Sequence, residues 1–366
     1  MKEVTLLTIL KGHVSTIWSI IWGISGNYLI SSGVDSSLII WGPCENFKLE
    51  NTYTRSFGEI SYFKSWCKIY HLKISKNLRT FRSLAKKINS NYFSISDFLG
   101  NSYLLEIVFL KYSNCCLIEI KHILRGHLSE IKGSDFSYNE HFFSSCGRDR
   151  SILLWKKNLD CDSFFKKSKS DVKCVKWNPS YMEIAFSNYD GNLLFILFQK
   201  KKKKIFEIKI SNSVIWNIFY EKFGKELIIG NGIGEIFFLD LNSESFLDIK
   251  KKTKLNRIHY GNLKNLVFLN YDSIQYTSQS ERNYLFLNGS SNGTVILTKN
   301  QITIKSKKFT KNGIYLKKNN FFFRILSLIV NSHYGKINSI IWHPFFENVF
   351  VSCGDDSNLN IWRVGK

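Results

Sequence analysis

The stretch RGHLSEIKGSDFSYNEHFFSSCGRDRSILLW, Arg125 to Trp155, decides the fold. It opens on Gly126-His127, runs through two apolar segments separated by a turn, places Asp149 in a second turn and closes on Trp155. That order predicts a three-strand antiparallel meander. A His in the loop entering one strand and an Asp in the turn two strands later can hydrogen-bond across the sheet, and Ser145 with the indole N–H of Trp155 extends the chain. A charge-assisted bond of this kind contributes about 1.5–3 kcal/mol. It can therefore staple a small sheet that has little core of its own.

The same quartet recurs twice, as His13, Ser31, Asp35 and Trp41 and as His333, Ser352, Asp356 and Trp362. His and Trp are 28 residues apart in the first two cases and 29 in the third, and Asp precedes Trp by six in all three. Fixed internal spacing of this sort resembles the repeat of WD-type propellers, in which about 40–45 residues make one four-stranded blade. The expected fold is an all-β, seven-bladed WD-repeat β-propeller. Its last repeat ends after three strands, and the segment VTLLTIL at residues 4–10 is the expected donor of the fourth, closing the ring and removing two sheet edges. The expected blades are about 11–65, 66–121, 122–166, 167–208, 209–254, 255–325 and 326–366, the last completed by strand 4–10.

Blades 1, 3 and 7 carry the whole staple, and the other four have drifted. In blade 2 the His, Asp and Trp positions fall on Asn77, Leu99 and Leu105, so the staple is expected to be lost as a unit rather than left half-satisfied. Blade 4 keeps Asp190-Gly191 as its turn with Ser168 in place of His, blade 5 offers Ser211 and Ile233, and blade 6 offers His259, Asn292 and Thr298. Gly230, Gly232 and Gly234 sit between strands with no helix to hold an anion, and read as a tight hairpin rather than a phosphate loop. A loop with an outer strand is expected between Pro43 and Ser65, an irregular piece from Asn270 to Arg282, and a Lys-rich insert from Lys305 to Lys318 ahead of blade 7.

Lys and Arg number 51 against 29 Asp and Glu in 366 residues, a net charge of +22. That balance invites an anionic partner. Abundant Lys, Ile, Phe, Asn and Ser with only 3 Pro is also what an AT-rich genome encodes. The run Lys200 to Lys204 reads as a solvated hairpin tip, with a nuclear-import or RNA-binding patch as the alternative. The eight Cys form no C-x-x-C pair, Cys115-Cys116 being the only neighbours, and they suit a reducing compartment. No membrane span or signal peptide is expected.

Several strings point to a narrower likeness: RTFRSLA with NYFSIS, EIKGSDF with SCGRDRSILLW, DVKCVKWNPS, VIWNIFY, and INSIIWHP with VSCGDDSNLNIW, in that order. Together they resemble the WD-repeat propeller of the cytosolic iron-sulfur protein assembly (CIA) targeting complex. The resemblance implies a scaffold without catalytic activity or cofactor. It would join a MIP18-family adaptor and a large helical-repeat subunit and help deliver Fe–S clusters to cytosolic and nuclear apoproteins. It implies a cytoplasmic protein, with the nucleus as a second site. An arginine in the blade 3 turn is associated with function in that family, and Arg148 matches it.

The repeats themselves place the start of each inner strand, and the residue before each turn Asp, on one rim around the channel. That rim would carry Trp18, Arg82, Lys132, Arg148, Lys173, Tyr189, Trp216, Lys264 and Asp355. Aromatics among cations suit a partner-binding face. No nucleophile set, carboxylate pair or metal cluster has a telling spacing, and every conspicuous His and Asp is taken by a staple, so no enzyme is expected. The alternative reading is a WD-repeat scaffold in RNA processing or ribosome assembly that uses a basic surface.

Overall fold

The computed structural model describes residues 3–44, 63–73, 80–87, 90–109, 116–156, 161–165, 168–198, 203–221, 223–241, 252–254, 263–268, 281–304, 307–310, 313–316, 319–329, 331–346 and 348–365. Strand β1 (Val4–Lys11) is followed by a first sheet of β2 (Ile17–Trp22), β3 (Leu29–Gly33), β4 (Ser37–Pro43) and β5 (Trp66–Lys73). The next consists of β6 (Phe81–Lys86), β7 (Tyr92–Asp97), β8 (Asn101–Phe109) and β9 (Cys116–Arg125). Then come β10 (Ile131–Phe136), β11 (Phe142–Gly147), β12 (Ile152–Lys156) and β13 (Cys161–Phe165), and after them β14 (Val172–Trp177), β15 (Glu183–Asn188), β16 (Asn192–Phe198) and β17 (Lys203–Lys209). The fifth sheet is β18 (Ile215–Tyr220), β19 (Glu226–Asn231), β20 (Ile236–Asp240) and β21 (Lys252–Lys254). The sixth is β22 (Leu263–Phe268), β23 (Glu281–Ser290), β24 (Val295–Ile304) and β27 (Asn319–Ile329), with the hairpin β25 (Lys307–Thr310) and β26 (Gly313–Leu316) inserted before its outer strand. The last joins β28 (Ile337–Trp342), β29 (Val349–Gly354) and β30 (Asn358–Val364) to β1, whose register runs from Val4 opposite Val364 to Lys11 opposite Asn358.

Among the described residues this makes seven four-stranded antiparallel sheets. The first strand of each touches the first strand of the next, β2 against β6, β6 against β10, and so on to β22 against β28, which returns to β2.

Strand alternation explains how such sheets make a core. In β4, Ile39 and Trp41 point one way into a cluster with Val351 and Ile361 of the last sheet, while Leu38 and Ile40 point the other way against Phe93 and Tyr103 of the second. Both faces are dry, which is why LIIW is continuously apolar rather than alternating. Ala185, Leu193 and Phe195 pack likewise against Ile218 and Leu227 of the fifth sheet, and Phe186 and Ile196 against Ile152 and Leu154 of the third. Each fully buried Leu, Ile or Phe contributes about 1.5–3 kcal/mol. The fold is held by seams between sheets, not by one central core.

Three boundary expectations need correction. The outer strand of the first sheet is β5, so that sheet runs past residue 65, with Trp66 paired to Pro43 and Lys73 to Ser37. The second sheet likewise runs past 121, to Arg125. The sixth sheet runs past 325, to Ile329, and the Lys-rich insert lies between its strands β24 and β27, still ahead of the last sheet. The disposition of cysteines also differs: β4 and β5 bring Cys44 and Cys67 together as a disulfide, with Cα atoms 5.5 Å apart. Cys116 is buried in β9. Cys115, Asn77, His259, Lys200 to Lys202 and most of Asn270 to Arg282 lie outside the described residues.

Candidate binding rim at the channel mouth

The three staples have one geometry. Nδ1 of His13, His127 and His333 lies 2.9, 3.0 and 2.9 Å from Asp35, Asp149 and Asp356. Their Nε2 atoms lie 2.7, 2.9 and 2.7 Å from Ser31, Ser145 and Ser352 Oγ. Trp41, Trp155 and Trp362 Nε1 donate to the same serines at 2.8, 3.3 and 2.9 Å. The chain is self-consistent if the indole donates to Ser, Ser donates to Nε2 and Nδ1–H donates to Asp. Each carboxylate also accepts two backbone N–H groups, from Val14 and Ser37, Leu128 and Ser151, and Tyr334 and Asn358.

Burial alone would raise the three carboxyls. The bond from His, its charge and the backbone donors outweigh that and hold all three below the usual carboxylate range. With folded values depressed, this stabilisation is complete above the unfolded value of about 4 and is lost as pH falls through the folded values. Asp149→Asn is therefore expected to flatten the fall in stability between about pH 4 and pH 2. A urea-unfolding series across that range checks it, and an unchanged slope would mean that Asp149 is not held ionised by His127.

The drifted sheets, which lack the His–Asp–Trp staple, carry a different set of polar contacts. Where the stapled sheets have Gly33, Gly147 and Gly354, a Cβ would meet a backbone oxygen at 2.6, 2.7 and 2.4 Å and the His ring at 3.2–3.4 Å. The sheets whose staple has drifted put Asp97, Asn188, Asn231 and Ser290 there. Asp97 accepts from Tyr103, Asn101 and Leu99, and Leu99 itself is exposed. Asn188 donates to Ser168, leaving the Asp190 carboxylate in solvent, and Asn231 donates to Ser211 and Glu235. Ser290 bonds Asn292 and Thr294. A polar side chain two residues ahead of the expected Asp was the signal for this second network.

The rim has an equally regular cause. Each innermost strand carries a β-bulge at one position, and the extra residue is Trp18, Arg82, Lys132, Lys173, Trp216, Lys264 or Asn338. A bulge frees one residue from the ladder and re-aims it, and Trp18, Arg82, Lys132, Lys173, Trp216 and Asn338 line one cavity at the channel. Sequence reasoning reached six of these seven and missed Asn338, which donates to Asp355 at 2.7 Å. Asp355 is thus tied down rather than pointing freely outward. Turn residues join the rim through one repeated bond: the N–H groups of Phe98, Arg148, Tyr189, Gly232 and Asp355 donate to the carbonyl just ahead of the bulged strand, Arg148 to Glu130 at 2.8 Å.

Arg82, Lys132 and Lys173 form a cluster. The Arg82 guanidinium lies 3.6 Å over the Trp18 ring and 3.4 Å from Glu130. Lys132 reaches Asp171 at 3.1 Å and Glu130 at 3.7 Å. Lys173 sits against the faces of Tyr189 and Trp216, at 4.5 and 4.8 Å. Burial, then the neighbouring Lys132, pulls its ammonium down to about 7. Glu130 and Asp171 are the partners that the sequence left unseen. Arg148 differs from all of these: it is exposed, and its guanidinium has no partner among the described residues. No group of three or more His, Cys, Asp or Glu that could hold a metal ion occurs among the described residues.

The family model of the WD domain, G-beta repeat, matches residues 4–42, 118–156 and 325–363, each ending within one residue of a staple Trp. This is a WD-repeat β-propeller. The chain is 30% identical over 86 residues to the probable cytosolic iron-sulfur protein assembly protein 1 of Botryotinia fuckeliana, covering 21% of the chain and 20% of that protein. It is 23% identical over 156 residues to the probable cytosolic iron-sulfur protein assembly protein CIAO1 homolog of Caenorhabditis elegans, covering 42% and 39%. Protein hir1 of Schizosaccharomyces pombe is 36% identical over 61 residues, 15% of this propeller and 6% of hir1. The matched stretches thus span well under half of each relative.

Proposed function

We propose that this WD-repeat propeller is a non-catalytic scaffold of the cytosolic iron-sulfur protein assembly machinery, which helps pass Fe–S clusters to apoproteins through protein–protein contacts. The observation that carries the reading is the likeness to proteins named for that process in a fungus and a nematode. The seven sheets are read as seven blades, with β1 as the strand that closes the ring. A cytoplasmic location, with the nucleus as a second site, follows from the same reading. The partners are a MIP18-family adaptor, a large helical-repeat subunit and the apoproteins.

The partner-binding rim is assigned to Arg148, Trp18, Arg82, Lys132, Lys173, Tyr189 and Trp216. Within it Arg148 is the freest cation, since Arg82 and Lys132 already hold carboxylates. A guanidinium with no internal partner is an open fork of donors for a carboxylate from outside. Arg148→Glu should leave the melt within about 0.5 kcal/mol of wild type, because an exposed side chain without contacts holds nothing. It should weaken adaptor or client capture by about 2–5 kcal/mol. A pull-down beside a thermal melt decides, and full capture by the folded variant would remove Arg148 from the contact.

The net charge of +22 favours a second reading, a scaffold in RNA processing or ribosome assembly. Sequence-indifferent RNA binding that collapses between low and moderate salt would support it. Co-purification with a MIP18-like adaptor in moderate salt would support the first.

A further inference from the structure

Below the rim the channel opens into a cavity of about 180 Å³ lined by Arg82, Lys132 and Lys173, with Ser83, Ser134 and Asn217 beneath them. The carboxylates that face these three cations are Glu130, Asp171 and, acting on Arg82, Asp355. Glu130 is shared between Arg82 and Lys132, and Asp171 pairs with Lys132. Lys173 has no carboxylate within ion-pair distance among the described residues. It is held instead by two aromatic faces, beside a second ammonium.

We propose that this cavity binds a small oxyanion, inorganic phosphate or a simple phosphomonoester, between Lys173, Lys132 and Arg82. A tetrahedral anion there supplies the counter-charge that Lys173 lacks and relieves its repulsion with Lys132. The hydroxyls of Ser83 and Ser134 are bonded to each other at 3.0 Å, which leaves one O–H of the pair as a neutral donor for the anion. The cations are fixed before the anion arrives, Arg82 on Trp18 and Lys173 between Tyr189 and Trp216, so little side-chain freedom is lost on binding. A volume of about 180 Å³ suits a compact anion better than a nucleic-acid strand, which needs an extended groove. Trp18, Arg82, Lys132, Lys173 and Trp216 belong to both the cavity and the partner-binding rim, whereas Arg148 does not line the cavity, so Arg148→Glu separates the protein contact from anion binding.

Calorimetric titration of the purified full chain with sodium phosphate, against sodium chloride at matched ionic strength, tests it. Saturable binding to phosphate and not to chloride is expected, weakened about tenfold or more in Lys173→Gln and in Lys132→Gln, and unchanged in Arg148→Glu. Two cavity variants are used so that one folding failure, read by circular dichroism, does not decide the matter. Sulfate, whose charge is constant over the range, isolates the lysine: it should bind about tenfold more weakly at pH 8.5 than at pH 6, as Lys173 loses its proton. The groups facing Lys173 in that experiment are Arg82, Lys132, Glu130, Asp171, Tyr189 and, beside Asn338, Asp355. Phosphate no better than chloride, or unchanged affinity in both cavity variants, overturns the proposal.

Discussion

Deleting residues 1–11 should leave a protein that melts far below wild type and aggregates at moderate temperature, whereas deleting Gly365-Lys366 should change the melt little. The first deletion removes β1 from its register with β30, from Val4 opposite Val364 to Lys11 opposite Asn358. It strips the ladder from one side of β30 and opens an edge that can pair with another chain. It also removes Leu10, buried in the seam shared by the first and last sheets, and Leu7, which packs on that seam. Truncating a single buried Leu to Ala costs about 2–5 kcal/mol, so losing the strand should cost more than that. Among the described residues the second deletion loses one backbone bond, from Gly365 N–H to Glu3 O. Circular dichroism melts and size-exclusion profiles of both truncations decide. A monomeric, fully stable chain without β1 would mean that β30 is covered in another way and that β1 does not close the ring.

What could be read in the sequence follows a physical line. His, Ser, Asp and Trp lie within one repeat, and two tight turns fix their separation, so 28 or 29 residues from His to Trp suffice to place the staple. The bulged rim residues are one step into each innermost strand and were legible for the same reason. Asn338 was passed over because an amide among lysines and tryptophans carries no obvious signal, although its bulge is the same as theirs. Partners across sheets were not legible. Glu130 pairs with Arg82 of the preceding sheet and Asp171 with Lys132, and only ring geometry sets those loops side by side. The same holds for Cys44 and Cys67, joined by the ladder of β4 and β5 rather than by any local motif. In the drifted sheets the polar network moved two residues upstream, to Asp97, Asn188, Asn231 and Ser290, because the space left by the His ring is filled from the glycine position.

Asp149→Ala is expected to destabilise the propeller by about 2–4 kcal/mol, and the equivalent change at Asp190 by less than about 0.5. The two aspartates occupy the same turn position in successive sheets, but their surroundings differ. Asp149 accepts from His127 Nδ1 and from the N–H groups of Leu128 and Ser151. Removing it leaves His127, 7% exposed, with only the Ser151 hydroxyl, 2.9 Å from Nδ1, in place of the carboxylate and loosens the hold on Ser145 and Trp155. Asp190 is exposed, and Asn188 has already taken over the polar contact with Ser168. Because Trp, Ser, His and Asp form one chain, their deletions should not add. His127→Ala in the Asp149→Ala background should cost at least about 1 kcal/mol less than in wild type. Chemical-denaturation curves for the four proteins of that cycle, with Asp190→Ala as the control, test the unit directly. Additive costs would show two independent contacts, and equal losses at Asp149 and Asp190 would show that the turn itself, not the staple, is what the aspartate stabilises.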